Sequence, residues 1–382
     1  MTLFKIFGST FCELTGVLML MPVLTVRLAE RGESTWLIGV FGAALYVAIF
    51  AVTPFAARCT RRFGLRWIYI LSGFSPLLGV AVLGFTEHSL AWLFAVTVMG
   101  VFGGLRWVTA EAYVAGAAPA ARRGAVIGAF QTMVGACFVL GPLLLTLTGT
   151  AGAAPLVCAA ALLLTGLLCL VGLVDLPVPP EEAAAGAFRR LQRERPVLLL
   201  AALIGGTLES GPATFLPVAA LADGYSGRAA AALVAVLGVG GVVAQFPLGW
   251  LADRYPVQRL LWFCAWVALS AALLLLVDQQ ASVLLWAAAF LWGAAGAGIY
   301  TLTMVEVGRA YSGVALVGAT AALVFAYAVG AALSPALMGL VMIWWPHSGF
   351  AAFMSAVAVA GLLVIPRTPG AGAARSPVAP AD

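Results

Sequence analysis

The chain has 382 residues, of which 63% are hydrophobic and 9% charged, with a mean hydropathy of +1.07. A soluble globular protein carries about 25% charged residues, so water cannot solvate this surface and lipid must. The net charge of +5 comes from basic residues in short loops between apolar runs, a pattern that excludes a nucleic-acid-binding stripe.

About 20 apolar residues are needed for one helix to cross the hydrocarbon core. In chain order the sequence predicts spans near 4–26, 36–57, 67–86, 90–115, 125–147, 153–175, 197–221, 229–251, 258–277, 282–305, 314–342 and 349–366. These runs are continuously apolar rather than alternating, which argues against a β-barrel. Helices remain, because backbone facing lipid must satisfy its own hydrogen bonds. Pro22 and Arg27 follow the first run directly, with no small-residue cleavage site, so it reads as a span rather than a signal peptide. Six cysteines (Cys12, Cys59, Cys137, Cys158, Cys169 and Cys264) lack metal spacing and read as free thiols. The sequence has no Walker loop, zinc motif or nucleophile elbow, so neither an enzyme nor a cofactor is expected.

Lys and Arg in short loops set orientation. Of the 20 Lys and Arg residues, sixteen fall on the side of the N-terminus, three (Arg27, Arg31 and Arg228) on the other, and one, Arg106, inside a span. Both termini are therefore expected in the cytoplasm and the chain in the inner membrane. Trp36, Trp92, Trp344 and Trp345 sit near span ends and read as interface anchors.

The longest polar segment, residues 177–196, is rich in Pro, Glu and Arg and reads as a cytoplasmic linker, with an amphipathic helix expected over 183–195. It separates a six-span half, residues 1–176, from a second, residues 197–366; residues 367–382 read as a disordered cytoplasmic tail. The halves look like copies. Leu20-Met21-Pro22-Val23 recurs as Phe215-Leu216-Pro217-Val218, and Gly100 and Gly103 before Arg106-Trp107 recur as Gly293 and Gly296 before Ile299-Tyr300. Gly141-Pro142 matches Gly330, with Pro335 nearby. A near-constant offset along the chain is the mark of an internal repeat. Six spans per half give copies of the same orientation, the parallel repeat that places a binding site between halves near the midplane.

At this point the chain resembles a known family. Gly249-Trp250-Leu251-Ala252-Asp253-Arg254 is similar to the Gly-x-Leu-Ala-Asp-Arg signature of the major facilitator superfamily (MFS), with Pro256 and Gln258 where Gly and Arg usually follow. The first-half copy keeps Arg62, Gly64 and Arg66 but has Ala57 and Arg61 for its Gly and Asp. Gly141-Pro142 resembles the antiporter signature of span 5, with Cys137 in place of a further Gly, and Val96 stands where span 4 normally has an arginine. More narrowly, Ser34-Thr35-Trp36, Trp107 to Glu111, Gln245 to Gly249 and Leu291 to Tyr300 resemble the YcaD-like bacterial transporters. The resemblance implies an all-α membrane protein of twelve transmembrane helices in two six-helix bundles, with spans 1, 4, 7 and 10 lining a central cavity.

Glu13 and Glu209 fall mid-span, eight or nine residues before the repeated prolines. A carboxylate in hydrocarbon is costly and usually faces a cavity or a partner. The bland reading is a structural hydrogen bond; the functional one is a group that loads and releases protons. Arg106 stays charged and can grip an anion with two bonds; its bland reading is an ion pair with Glu13, Glu111 or Glu209. Glu111 lies about 140° around the helix from Arg106 and is a poor partner for it. Trp107 and Tyr300 hold matching positions and suit stacking on a ring or cation, or ordinary helix packing. Gln131 and Gln245 favour packing roles, and Glu306 and Arg309 read as an interfacial pair. Gly249, Asp253, Arg254 and Arg62 read as a cytoplasmic latch that makes and breaks between access states. No proton relay is assigned to His88 or His347.

The sequence thus favours a monomeric secondary transporter of a small solute, working by alternating access, proton-coupled, with export preferred over uptake on the Gly-Pro match. The alternatives are a non-transporting membrane sensor or scaffold with the same fold, and a membrane-embedded enzyme.

Overall fold

The computed structural model describes residues 2–55, 59, 62–117, 123–173, 190–252, 254–277, 282–311, 313–346 and 348–365. Among them are twelve α-helices of 15 residues or more: α1 Thr2–Glu30, α2 Thr35–Val52, α3 Leu65–Phe85, α4 Ser89–Ala117, α5 Arg123–Thr148, α6 Ala154–Leu168, α7 Pro196–Ala222, α8 Gly227–Ala252, α9 Val257–Val277, α10 Ser282–Ala310, α11 Gly313–Trp344 and α12 Gly349–Val364. Nine of these contain described stretches long and apolar enough to cross a membrane; α5, α6 and α12 contribute shorter apolar stretches. Large apolar side chains such as Phe85, Leu90, Phe94 and Trp344 stand exposed, as lipid-facing residues do.

Local chemistry sets the helix ends. Gly32, at φ 72°, turns the chain after α1, and Ser34 caps α2 by accepting a hydrogen bond from the Leu37 amide at 3.2 Å. The second predicted span ends early, because the chain tightens into a 3-10 turn at Thr53–Phe55. The sixth stops at Leu168, well before residue 175. There Lys5 Nζ donates to the Val171 and Gly172 carbonyls at 2.6 and 2.8 Å, a cation meeting the carbonyl end of a helix.

Two groups of helices pack internally. α1 lies against α5 and α6, and α4 against α2 and α3; α7 lies against α10 and α11, and α10 against α8 and α9. In lipid, helices associate by close van der Waals contact, which small residues permit. Gly330 of α11 sits on the Leu203 carbonyl of α7, and Gly293 of α10 on the Leu237 carbonyl of α8. Gly141 of α5 sits on Thr15 and Leu18 of α1.

Two seams join the groups. Along one, α2 meets α11: the Thr35 hydroxyl donates to the Gly339 carbonyl at 3.0 Å, Gly39 abuts Pro335, and the Phe50 and Phe325 rings lie 4.7 Å apart. Along the other, α5 meets α8, with Gly238 on the Phe138 carbonyl and Gly227 against Thr150 and Val26. Among the described residues, α4 and α10 share no extended contact.

Two expectations are corrected. Trp92 is not an interface anchor: it is 1% exposed, its indole N–H donates to the Thr86 carbonyl at 2.8 Å, and the Arg31 guanidinium covers its ring at 4.3 Å. Trp36, Trp344 and Trp345 do stand exposed. Glu306 pairs not with Arg309 but with Arg195, at 2.6 Å, because α10 ends beside the start of α7. Arg309 instead donates to the Ala252 carbonyl at 3.0 Å. Of the expected linker helix, residues 190–194 are described and helical, with Leu191 buried against α7, α10 and α11. Residues 177–189 and the tail 367–382 lie outside the described residues, as does His347.

Candidate functional site

The intramembrane charges fall into two unlike settings. Arg106 of α4 is 3% exposed. Its Nε is paired with Oε2 of Glu13 on α1, itself 7% exposed. Its Nη1 donates to the Tyr69 carbonyl of α3 at 2.9 Å, and its Nη2 to the Ser9 hydroxyl of α1 at 2.6 Å. The guanidinium carbon lies 4.1 Å from the centroid of the Tyr69 ring, and the Tyr69 and Thr10 hydroxyls share a hydrogen bond at 2.5 Å. All three guanidinium nitrogens are thus engaged inside α1, α3 and α4. An arginine so saturated is neutralised and held.

Glu209 of α7 is half-buried and differently placed. It lies where Gly296 of α10 lets α7 approach closely. The hydroxyls of Tyr327, on α11, and Tyr46, on α2, lie within the field of its carboxylate. Tyr327 in turn stands edge-on to Tyr300 of α10, with ring centroids 5.0 Å apart. Among the described residues no basic side chain pairs with Glu209.

Trp107 is 37% exposed. Gly103, one turn before it, meets no atom within 4 Å of where a side chain would start. Gly103 lies nine residues from Phe94, half a turn around the helix at about 100° per residue, and Phe94 is 64% exposed on the outer face. The open space at Gly103 is therefore on the side of α4 turned away from Phe94. Glu111 is on the α4 backbone, but its side chain lies outside the described residues, as does that of Gln131.

Of the expected latch, Asp253 lies outside the described residues. Arg254 is exposed and stacks on Trp250, its guanidinium carbon 3.5 Å from the ring centroid. Gly249 meets open space, and Arg62 is exposed near the Phe63 ring at 5.6 Å. On the same face Tyr311 receives Arg190 over its ring at 5.7 Å and donates to Glu194 at 3.4 Å; burial, then the Glu194 charge, push its hydroxyl above the usual phenol range. All six cysteines are free.

Sequence reasoning passed over Ser9, Thr10, Tyr46, Tyr69 and Tyr327. A hydroxyl in an apolar run looks like ordinary span composition until its neighbour is known. One signal was available: Ser9 and Glu13 stand one turn apart on α1, so both reach the same partner.

The long apolar helices define a multi-pass membrane protein. The chain belongs to the Major Facilitator Superfamily, whose sequence profile matches residues 6–264 and 198–381. It is 26% identical over 338 residues to the uncharacterized MFS-type transporter YcaD of Escherichia coli O7:K1 (strain IAI39 / ExPEC), which covers 86% of this chain and 87% of that relative. The YcaD of Shigella flexneri matches to the same extent. Among solved structures, the nucleoside transporter NupG aligns with a TM-score of 0.76 at 12% identity, over 96% of this chain and 98% of that one. A D-xylose-proton symporter aligns with a TM-score of 0.75 at 15% identity, over 97% of each chain. A bacterial homologue of the human lysosomal transporter Spinster, in an inward-facing and unoccupied conformation, aligns with a TM-score of 0.72 at 15% identity, over 95% and 93%. These likenesses show the fold.

Proposed function

We propose that the chain is a secondary active transporter of a small solute, proton-coupled and working by alternating access in the inner membrane, with both termini cytoplasmic. Two six-helix halves, residues 1–176 and 197–366, rock about the α2–α11 and α5–α8 seams while the linker 177–196 tethers them. A single copy suffices, since the site lies between its own halves. The observation that carries this reading is Glu209: a carboxylate placed mid-helix, half-buried among tyrosines, with no basic partner among the described residues. Such a group is costly in hydrocarbon, and a bound proton or cation relieves the cost. Glu13, matched to Arg106, is the second coupling candidate; Glu111 keeps its place as a third. Trp107 and Tyr300 flank the site.

The arrangement supports a state open toward the cytoplasm. At the other face the halves touch through Thr35 and Gly339 and through Thr150 and Gly227. Toward the cytoplasm, no atom of the described residues lies within 4 Å of a side chain begun at Gly249, and Arg254 and Arg62 are exposed. The latch of Arg62, Gly249, Asp253 and Arg254 would then close in the opposite state. The likeness of Gly141-Pro142 to the antiporter signature favours export, by exchange for protons.

A thermal-shift screen of purified protein against a solute panel tests binding, since a ligand of the native state raises apparent stability. Uptake of each stabilising solute into proteoliposomes then tests transport. Binding without movement across the bilayer would point to a sensor or scaffold instead.

A further inference from the structure

We infer that Glu209 and the tyrosines beside it recognise an organic cation: a positively charged head set against the carboxylate, with an apolar or aromatic body among Tyr46, Tyr300 and Tyr327. The inference rests on the transporter reading above and narrows its substrate class.

Charge is the first argument. The carboxylates of Glu13 and Glu209 in the helix interior are not equivalent. Glu13 is met by Arg106, whose three nitrogens are all occupied by Glu13, Ser9 and Tyr69. That arginine's charge is already matched by Glu13, which leaves little net attraction for a substrate anion. Glu209 has hydroxyl and ring neighbours only, so its immediate surroundings are acidic overall and attract positive charge.

Shape is the second. Tyr46 of α2 and Tyr327 of α11 adjoin one carboxylate on α7, and Tyr300 of α10 stands beside Tyr327. The Tyr300 and Tyr327 rings stand edge-to-face at an interplanar angle of 60°, so two differently oriented aromatic surfaces adjoin the acid. A cation is attracted to an aromatic face, and several faces around one carboxylate form a cage for an ammonium or phosphonium group. A neutral sugar would ask instead for several fixed amide or hydroxyl partners, and an anion for a spare arginine or lysine.

Place is the third. Tyr46 comes from α2, before the linker, and Glu209, Tyr300 and Tyr327 come from after it. A cation bound here touches both halves, so its binding energy changes as they move, which is what coupling requires. The titratable groups nearest Glu209 among the described residues are Tyr46 and Tyr327, with Tyr300 beside Tyr327.

The test is binding of tetraphenylphosphonium to the purified full chain in detergent, read by thermal shift and by equilibrium dialysis. Tetraphenylborate, the same shape with opposite charge, is the control. The expected result is saturable tetraphenylphosphonium binding, no comparable tetraphenylborate binding, and a loss of at least tenfold in affinity for Glu209→Gln. Glu209→Asp, which keeps the charge, should lose less than Glu209→Gln, and Tyr300→Leu should weaken binding severalfold. Should Glu209→Gln fail to fold, the Glu209→Asp and Tyr300→Leu comparisons carry the same decision. Equal binding of both ions, or tetraphenylphosphonium binding unchanged in Glu209→Gln, overturns the cation site. Proteoliposome transport of some other solute would then leave the transporter reading intact. Conversely, Glu209-dependent cation binding with no transport in proteoliposomes keeps the site and overturns transport.

Discussion

Arg106 and Glu13 form an ion pair across α4 and α1 in which neither side chain reaches solvent to any extent: they are 4% and 9% exposed. Ser9 and the Tyr69 carbonyl complete the arginine's bonding. Breaking one side of a buried pair leaves an uncompensated charge and costs about 3–5 kcal/mol. Arg106→Leu is therefore expected to lower the thermal stability of the purified protein strongly. The double variant Glu13→Gln, Arg106→Leu should be more stable than Arg106→Leu alone, because it removes the orphaned charge. A double-mutant cycle on melting measures this coupling; simple additivity would show that the pair is not held as described.

The glycines at helix contacts make a graded prediction. A methyl group on Gly330 or Gly293 falls on a backbone carbonyl of the neighbouring helix, which cannot swing away as a side chain does. Gly330→Ala and Gly293→Ala should each cost about 1–3 kcal/mol. Gly103→Ala faces open space and should leave melting within about 0.5 kcal/mol. Denaturant titration of the three variants side by side checks the order.

Arg27 is one of the three basic residues on the side expected to be poor in them. Its guanidinium donates to the carbonyls of Gly152 at 2.7 Å, Leu83 at 3.2 Å and Thr150 at 3.4 Å. It ties the end of α1 to the ends of α3 and α5. Arg27→Ala should destabilise by about 1–3 kcal/mol, the scale of hydrogen bonds from a charged group. Arg27→Lys, with one point of charge in place of a planar fork, should recover only part of that. Melting of the two variants decides it.

Much of this was legible in the sequence. Continuous apolar runs located the helices. Boundaries slipped where a tertiary contact intervened. α6 stops at Leu168, and Lys5, over 160 positions away, donates to the Val171 and Gly172 carbonyls just beyond it; no local signal encodes that. Glu13, Arg106 and Glu209 stood out because charge is rare in hydrocarbon. Their partners did not, because Tyr69 and Tyr327 are ordinary residues of apolar helices until folding sets them beside a charge. Trp92 was misread for a related reason: a tryptophan near a span end is an anchor or a core residue according to which way its helix faces, and α4 turns it inward under Arg31.

The measurement that bears most directly on the central claim is solute uptake into proteoliposomes with and without an imposed pH gradient. Wild-type protein and the Glu13→Gln, Glu209→Gln double variant would be compared. Glutamine stands in for the protonated acid at both positions, so access can still alternate but no proton is carried. The expected result is gradient-driven transport in the wild type, and in the variant exchange of solute without any response to the gradient. Gradient-driven transport of equal size in the double variant would contradict the account and exclude both carboxylates as the coupling site.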